Sequence, residues 1–183
     1  MPSPPPARRN GKPAAAGPGP AVTVYFAAPL FTLLERRANR ALAKAILREL
    51  PGTEIYLPQD FKHEGKFNES HAFGRIFRDC VEHIDRADVM LAWLDGPDAD
   101  SGTAFEVGYA FAKGIPVVGV RTDFRQNQER GLNIMLARAC AAFVYRPSFD
   151  EDVEGLARDI ARAVRKVGKP AEEVEGKNVK RKT

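Results

Sequence analysis

The chain has 183 residues, of which 44% are hydrophobic and 28% are charged, as is typical of one soluble globular domain with a sizeable core. No apolar run reaches the length of a membrane span, and no apolar stretch follows Arg8 and Arg9, so we expect neither a transmembrane helix nor a secretory signal. Cys80 and Cys140 are the two cysteines, and they lack metal-ligand spacing. This usage favours a reducing, cytoplasmic setting.

The net charge of +4 would favour a nucleic-acid partner, but the excess lies at the two ends of the chain. Residues 1–21 carry +3 and residues 168–183 carry +2, which leaves −1 for residues 22–167. Both ends have the composition of disordered tails, rich in Pro, Ala and Gly or in charge. We therefore predict one folded domain over 22–167, with no specific nucleic-acid partner.

Between the tails, strand-like runs alternate with helix-like stretches. The first half predicts strands over 21–26 and 54–57, a helix that starts with the capping box Thr32/Glu35 and ends at Pro51-Gly52, a loop over 58–67 and a helix over 68–86. The second half predicts strands over 89–94, 117–120 and 142–145, helices over 102–113 and 133–139, and a last helix capped by Ser148 and Glu151.

Five strands alternating with five helices predict an α/β domain of the doubly wound, flavodoxin-like type, in which a five-stranded parallel sheet carries helices on both faces. In such folds ligands bind beyond the carboxyl ends of the strands. The loops that follow Phe26, Leu57, Leu94 and Val120 are therefore the places where a site is expected.

The loop after strand 89–94 is rich in Asp and Gly and leads into a helix that carries Glu106 near its start. A helix N-terminus favours negative charge, so Glu106 is expected to be ionised, while Phe105 and Tyr109 are expected to pack inward. An ionised, positioned carboxylate can attack an anomeric carbon, and Asp100 could orient a sugar hydroxyl. A Glu in this position is also a common complement to the helix dipole without any catalytic role.

Four segments then carry a resemblance. Residues 24–31, 87–92, 100–110 and 131–136 resemble, in order and spacing, the nucleoside 2-deoxyribosyltransferase family. The third segment, which reads Asp-Ser-Gly-Thr-Ala-Phe-Glu-Val-Gly-Tyr-Ala, is the most specific of the four. The resemblance covers nearly the whole predicted core.

The resemblance implies a role for several residues. Glu106 corresponds to the nucleophile that forms a covalent deoxyribosyl intermediate, Tyr25 to the tyrosine that holds it, and Asp100 to the aspartate that binds the sugar hydroxyls. Further substrate-binding residues in the matching segments are Ala27, Gly102, Asn133 and Met135. Asn133 is expected to reach a neighbouring subunit's site, which implies a dimer-based homo-oligomer with shared active sites.

The activity implied is exchange of bases between 2′-deoxynucleosides and free nucleobases in cytoplasmic nucleoside salvage, without a metal or an organic cofactor. One position departs from the family, because Cys80 stands where many members carry an aspartate that assists the base. The apolar stripe of its helix points Cys80 inward, and Asp79 lies about 100° round the helix. Either the helix bends so that Asp79 serves, or the base is handled by Gln59, Asp60 or Asp88. Cys80 itself fits a small core residue better than a redox centre.

Two other functions stay open from the sequence. A nucleoside or nucleoside 5′-monophosphate N-hydrolase would share the first half-reaction, although Asp100 would repel a phosphate. Arg121 and Arg125 could bind a phosphate, but structural pairing with nearby carboxylates such as Asp123 is the favoured interpretation. A non-catalytic nucleotide-binding module is the third possibility, because doubly wound folds host many functions.

Overall fold

The computed structural model describes residues 22–62, 70–125, 131–147 and 149–168, with backbone only for Ser70 and His71. The tails predicted over 1–21 and 168–183 lie outside these ranges except for Gly168. The part of the predicted loop beyond Lys62 and the predicted helix start at Asn68 also lie outside them.

Five strands and five α-helices alternate along the described chain. They are β1 (Val22–Ala27), α1 (Leu33–Glu49), β2 (Thr53–Tyr56), α2 (Ser70–Arg86), β3 (Val89–Trp93), α3 (Ser101–Ala112), β4 (Val117–Arg121), α4 (Ile134–Ala139), β5 (Ala142–Tyr145) and α5 (Val153–Val167). A short 3₁₀ turn, Pro58–Asp60, follows β2. Each predicted element is present, and its observed bounds agree with the prediction to within a few residues.

The strands form one parallel sheet in the order β2-β1-β3-β4-β5. This is the flavodoxin-like strand order, so the predicted fold is confirmed. The central strand β3 is buried on both faces, which explains why it reads as a continuous apolar run rather than an alternating one. All five carboxyl ends meet at one edge of the sheet.

Two hydrophobic layers cover the sheet. On one face α1 and α5 pack together, with Leu42 and Ile160 among the buried residues. On the other face α2, α3 and α4 surround a second core that includes Tyr25 and Val107. Successive residues of a strand point to opposite faces, so Val24 joins the first core and Tyr25 the second. Tyr25 is thereby directed toward α3, the helix that carries Glu106.

The helix caps agree with the sequence at one end of the domain and differ at the other. Thr32 and Glu35 form the predicted capping box at the start of α1. The cap predicted for α5 is wrong, because α5 begins at Val153 and Asp152 caps it by accepting a hydrogen bond from Gly155 N at 2.8 Å. Ser148, the predicted cap, lies outside the described residues.

The inward packing predicted for Phe105 is wrong. The buried face of α3 passes through Thr103, Val107 and Ala110, spaced four and three residues apart, and Phe105 falls outside it with 54% of its surface exposed. Tyr109 is half-buried at the edge of the same face, where its hydroxyl donates to Asp85.

Within the described residues, no helix combines the length and the apolar composition of a membrane span.

Candidate active site

A cleft of about 560 Å³ opens beyond the carboxyl ends of β1, β2 and β3. Three of the four loops singled out by the topology supply its wall, together with α2 and the start of α3. The lining residues are Ala28, Leu30, Phe31, Arg36, Pro58, Gln59, Phe61, Phe73, Ile76, Cys80, Asp100, Gly102, Thr103 and Glu106. The cleft is apolar on most of its surface, with a few polar groups, as small-molecule sites are.

Glu106 lies in the wall of this cleft, and a hydrogen bond from Tyr25 fixes its carboxylate. The hydroxyl of Tyr25, a residue with no exposed surface, donates a hydrogen bond to Glu106 Oε1 at 2.5 Å. The backbone of Tyr25 belongs to β1 of the sheet, and its ring stacks on the ring of Tyr56 with centroids 5.5 Å apart. Both contacts fix the position of the Tyr25 hydroxyl. The resemblance pairs Tyr25 with Glu106, and the fold brings these two residues together from positions 81 residues apart.

Glu106 is only partly ionised at neutral pH. Burial raises the pKa of Glu106 to about 7, the Tyr25 hydrogen bond opposes the rise, and the charge of Asp100 adds to it. The pKa of Glu106 is therefore higher than expected for a carboxylate near a helix N-terminus. Since α3 starts at Ser101, Glu106 sits in the second helical turn, where the influence of the N-terminus has faded and desolvation prevails.

Asp100 is the N-cap of α3 and also lines the cleft. Its Oδ2 accepts hydrogen bonds from Thr103 N at 2.8 Å and from Thr103 Oγ1 at 3.2 Å. Both bonds end on Oδ2 and fix the carboxylate, so Oδ1 takes no part in either of them. Gly102 is tightly placed here, because a Cβ on it would lie 3.1 Å from Asp100 Oδ2. The arrangement presents two carboxylates, Asp100 and Glu106, to one cavity.

Cys80 faces the cleft and Asp79 does not. The Cys80 thiol lies near Tyr25 and Glu106, and burial raises its pKa. Asp79 instead accepts a hydrogen bond from the Tyr56 hydroxyl, and the imidazole of His83 stacks on the Tyr56 ring at 3.6 Å. The helix does not bend to bring Asp79 into the cavity, so the helical phase inferred from the sequence holds.

Of the other candidates for handling the base, one lines the cleft and two do not. Gln59 lines the cleft, whereas Asp60 pairs with Arg40 at 2.6 Å and is not among the lining residues. Asp88 accepts from Thr23 N at 2.7 Å, at the opposite edge of the sheet. Ala27 is buried beneath the cleft, and its neighbour Ala28 supplies the lining surface.

Arg121 and Arg125 have structural partners, as the favoured interpretation predicted. Arg121 is fully buried and donates to the carbonyls of Leu94 at 2.6 Å and of Gly96 at 3.2 Å. Arg125 pairs with Asp123, and this contact holds the pKa of the Asp123 carboxyl well below its usual range. Among the residues described, Arg36 is the one cationic side chain in the cleft wall, and no group of ligating side chains suited to a metal is present.

Comparison with known proteins identifies the family. The family model for nucleoside 2-deoxyribosyltransferases matches residues 24–135, more than half of the chain. The chain belongs to this family. No curated protein matches it.

Two solved structures are similar to this chain over about three quarters of its length. A conserved protein from Enterococcus faecalis V583 is 28% identical, with a TM-score of 0.62 over 78% of this chain and 98% of that one. A 2-deoxyribosyltransferase from Bacillus psychrosaccharolyticus is 25% identical, with a TM-score of 0.57 over 74% of this chain and 90% of that one. The family consists of enzymes that act on nucleosides and nucleobases.

The remaining two family positions lie away from this cleft. Asn133 caps α4, where its Oδ1 accepts from Met135 N at 2.9 Å, and its side chain is exposed. Met135 is 76% exposed. Neither residue lines the cleft of its own chain.

Arg36 and Asn39 were not predicted as site residues from the sequence. Asn39 is 4% exposed and lies among apolar positions of α1, and it donates hydrogen bonds to the Pro29 carbonyl at 2.9 Å and to Gln59 Oε1 at 3.1 Å. Arg36 donates to the carbonyls of Leu30 and Phe31. A buried polar residue on an apolar helix face needs a partner, so the position of Asn39 was a usable signal.

Proposed function

We propose that this deoxyribosyltransferase-family chain exchanges the base of 2′-deoxynucleosides through a covalent deoxyribosyl intermediate on Glu106. The observation that carries the proposal is the Tyr25–Glu106 contact: a carboxylate with a pKa of about 7 is fixed at 2.5 Å from a buried hydroxyl, in the wall of a nucleoside-sized cleft. A residue that only complements the helix dipole would have no need of either the burial or the partner.

In the first half-reaction, a Glu106 oxygen attacks C1′ of the deoxynucleoside as the N-glycosidic bond breaks. The electron pair of that bond leaves on the base nitrogen, which takes up a proton from water. A carboxylate whose pKa is raised by burial is poorly solvated and forms the ester with C1′ more readily than an exposed one. Asp100 binds a sugar hydroxyl in this proposal, supported by its place in the cleft lining and by an Oδ1 that takes no part in the bonds from Thr103.

In the second half-reaction, the nitrogen of an acceptor base attacks C1′, the Glu106 carboxylate leaves, and the acceptor nitrogen loses its proton. Tyr25 keeps its hydrogen bond to Oε1 throughout and so stabilises the carboxylate each time it is released. Water in place of the acceptor base would give net hydrolysis by the same route.

We further propose that a second copy of the chain completes the cleft with Asn133 and Met135. Both side chains are exposed and lie outside their own cleft, and Ile134 between them is 52% exposed. Two adjacent exposed apolar side chains, Ile134 and Met135, beside the polar Asn133 support such a contact between two copies. Asn133→Ala should lower base exchange while leaving the Tyr25–Glu106 contact of each chain intact.

The decisive experiment incubates the enzyme with one deoxynucleoside donor and a panel of free bases, and follows both exchange and net hydrolysis. Glu106→Gln should abolish both, whereas Glu82→Gln, at an exposed α2 glutamate that pairs with Arg86, should leave both unchanged. A 2-fluoro-2-deoxyribosyl donor should leave a mass adduct on the peptide that contains Glu106. Exchange at the wild-type rate in Glu106→Gln would overturn the proposal.

The same assay separates the related activities. Hydrolysis without exchange would make the chain an N-hydrolase, and tight nucleoside binding without an adduct would make it a binding module. Deoxyadenosine should react faster than its 5′-monophosphate, because the carboxylates Asp100 and Glu106 both lie in the cleft and would repel a phosphate. Arg36, the one cationic side chain described in the cleft wall, already donates to the carbonyls of Leu30 and Phe31.

A further inference from the structure

Tyr25, which donates to Glu106, has a second tyrosine beside it in the sheet. Tyr56, the last residue of β2, is the Cα partner of Tyr25 on β1, and both side chains pack in the same hydrophobic layer. Their rings stack with centroids 5.5 Å apart and an angle of 22° between the planes. Because β2 is an edge strand, Tyr56 stands between the Tyr25 ring and that edge of the sheet.

Tyr56 is itself held by α2 at two points. Its hydroxyl donates to Asp79 Oδ2, and the imidazole of His83 stacks on its ring with centroids 3.6 Å apart. His83 Nδ1 lies 2.8 Å from the backbone carbonyl oxygen of Asp79, which can only accept, so Nδ1 carries a hydrogen and donates it. Asp79 and His83 are four residues apart and therefore lie on one side of the helix.

The position of the Tyr25 hydroxyl depends on the ring that carries it. The hydroxyl is the atom of the side chain that is furthest from the backbone, so a tilt of the ring displaces it more than any other atom. Its bond to Glu106 Oε1 is 2.5 Å long, and hydrogen bonds weaken steeply when their geometry is disturbed. In an active site, a displacement of about 1 Å can cost about 100-fold in rate.

We infer that Tyr56 is a positioning residue, whose ring keeps the Tyr25 hydroxyl on Glu106. Asp79 and His83 hold Tyr56 in place. The inference rests on the proposed role of Glu106 and assigns a part to Asp79, although neither Tyr56 nor Asp79 is among the described lining residues of the cleft. The titratable or charged groups that face Tyr56 from the elements packed against it are Tyr25 of β1, Asp79, Cys80 and His83 of α2, and Glu106 of α3.

The test measures the pKa of the Glu106 carboxyl by carbon-13 NMR of the full chain, with Glu106→Gln to identify the signal. Tyr56→Leu removes the ring and keeps an apolar side chain. Since the Tyr25 hydrogen bond lowers the pKa of Glu106, loosening it should raise that pKa from about 7 by a further step of about 0.5 to 1 pH unit. The other charged or titratable groups described in the cleft wall stay the same in every variant: Arg36, Cys80 and Asp100.

The same shift should appear in catalysis. At pH 7 the smaller ionised fraction of Glu106 should lower kcat/KM for base exchange by about 2- to 5-fold in Tyr56→Leu, and the loss should disappear at high pH. A tyrosine that only stabilises the fold would leave both the pKa and the pH profile unmoved.

Conservative variants separate the Tyr56 ring from its hydrogen bond. Tyr56→Phe keeps the stack and loses the bond to Asp79, so it should shift the pKa of Glu106 by less than Tyr56→Leu does. Asp79→Ala should match Tyr56→Phe. Asp79→Asn keeps an oxygen that accepts from the Tyr56 hydroxyl and should restore the wild-type value.

Two controls show whether the effect passes through Tyr25. Tyr145→Leu changes the half-buried last residue of β5, the other edge strand, outside the described cleft lining, and should leave the pKa of Glu106 unchanged. In a Tyr25→Phe background, Tyr56→Leu should cause no further shift, because the hydroxyl that it positions is gone.

A folded Tyr56→Leu protein in which the pKa of Glu106 is unchanged or lowered would overturn the inference, and so would an equal shift in the Tyr25→Phe background. Urea unfolding establishes whether the variant is folded. If Tyr56→Leu does not fold, the absence of any shift in both Tyr56→Phe and Asp79→Ala would overturn the inference instead. The NMR measurement needs no turnover, so a wild-type protein that exchanges no base and forms no adduct refutes the proposed function, while the pKa of Glu106 still decides this inference.

Discussion

The Tyr25 hydroxyl allows a quantitative test of how the fold controls Glu106. Tyr25→Phe removes the hydroxyl that donates to Glu106 and keeps the ring that stacks on Tyr56. Because this hydrogen bond lowers the pKa of Glu106 against the effect of burial, its loss should raise that pKa above the present value of about 7. A hydrogen bond to a charged group contributes about 1.5 to 3 kcal/mol, which corresponds to a rise of about 1 to 2 pH units.

The kinetic consequence follows from the ionised fraction. At pH 7 about half of the wild-type enzyme carries an ionised Glu106, given its pKa of about 7. In Tyr25→Phe that fraction should fall to about 1 to 10%, so kcat/KM for base exchange should drop by about 5- to 50-fold at pH 7. Most of the loss should be recovered near pH 9, where the carboxyl of the variant is ionised again.

The assay is the pH profile of kcat/KM for base exchange, which reports the pKa of the essential carboxylate in the free enzyme. Tyr109→Phe is the matched control. It removes a tyrosine hydroxyl from α3, the helix that carries Glu106, and this hydroxyl donates to Asp85 outside the cleft. A Tyr25→Phe enzyme slowed equally at every pH, with its acidic limb unmoved, would refute the reasoning. Tyr25 would then orient Glu106 without controlling its charge.

Three further predictions concern stability. Because the pKa of Glu106 is raised from 4.5 to about 7, its favourable contribution is complete below about pH 4.5 and is lost as the pH rises through 7. Urea unfolding should therefore find Glu106→Gln more stable than the wild type by up to about 3 kcal/mol at pH 9, with little difference at pH 4.5, and equal gains at both pH values would contradict this. Arg121→Met should cost about 3 kcal/mol, since the carbonyls of Leu94 and Gly96 would lose their buried donor, and a loss below about 1 kcal/mol would mean that the surroundings relax. Gly119→Ala should cost about 1 to 3 kcal/mol, because a Cβ there would lie 2.7 Å from Cys140 Sγ and from the ring of Phe143; an unchanged unfolding midpoint would argue against this tight packing.

The elements of the fold could be predicted because their signals are local. The capping box at Thr32 and Glu35, the apolar run of β3 and the alternation of strands with helices each depend on residues close together in the chain. The start of α5 was misplaced because several polar residues precede it, and only the backbone geometry selects Asp152 among them. Helix ends fray by a residue or two, so the residue at which a helix begins is set by its cap geometry.

The candidate site was predicted in its residue types and order. The motif over 100–110 puts Asp100 at the N-cap of α3 and Glu106 in its second turn. Helical phase alone directs Cys80 inward and Asp79 aside. The exposure of Phe105 escaped prediction, because the buried face of α3 is chosen by where the helix lies on the sheet. Asn39 was also missed, since its partners Pro29 and Gln59 come from two different loops.

The sequence by itself determined that Glu106 lies at the carboxyl edge of the sheet, because strand alternation and helix starts depend on residues that are neighbours in the chain. The tertiary structure alone decided how that carboxylate behaves. The pKa of Glu106 depends on burial beneath several elements, on the charge of Asp100 and on a hydroxyl 81 residues away, which the parallel register brings to 2.5 Å. Desolvation sums over everything that surrounds a group, so it can be known only when the chain is folded.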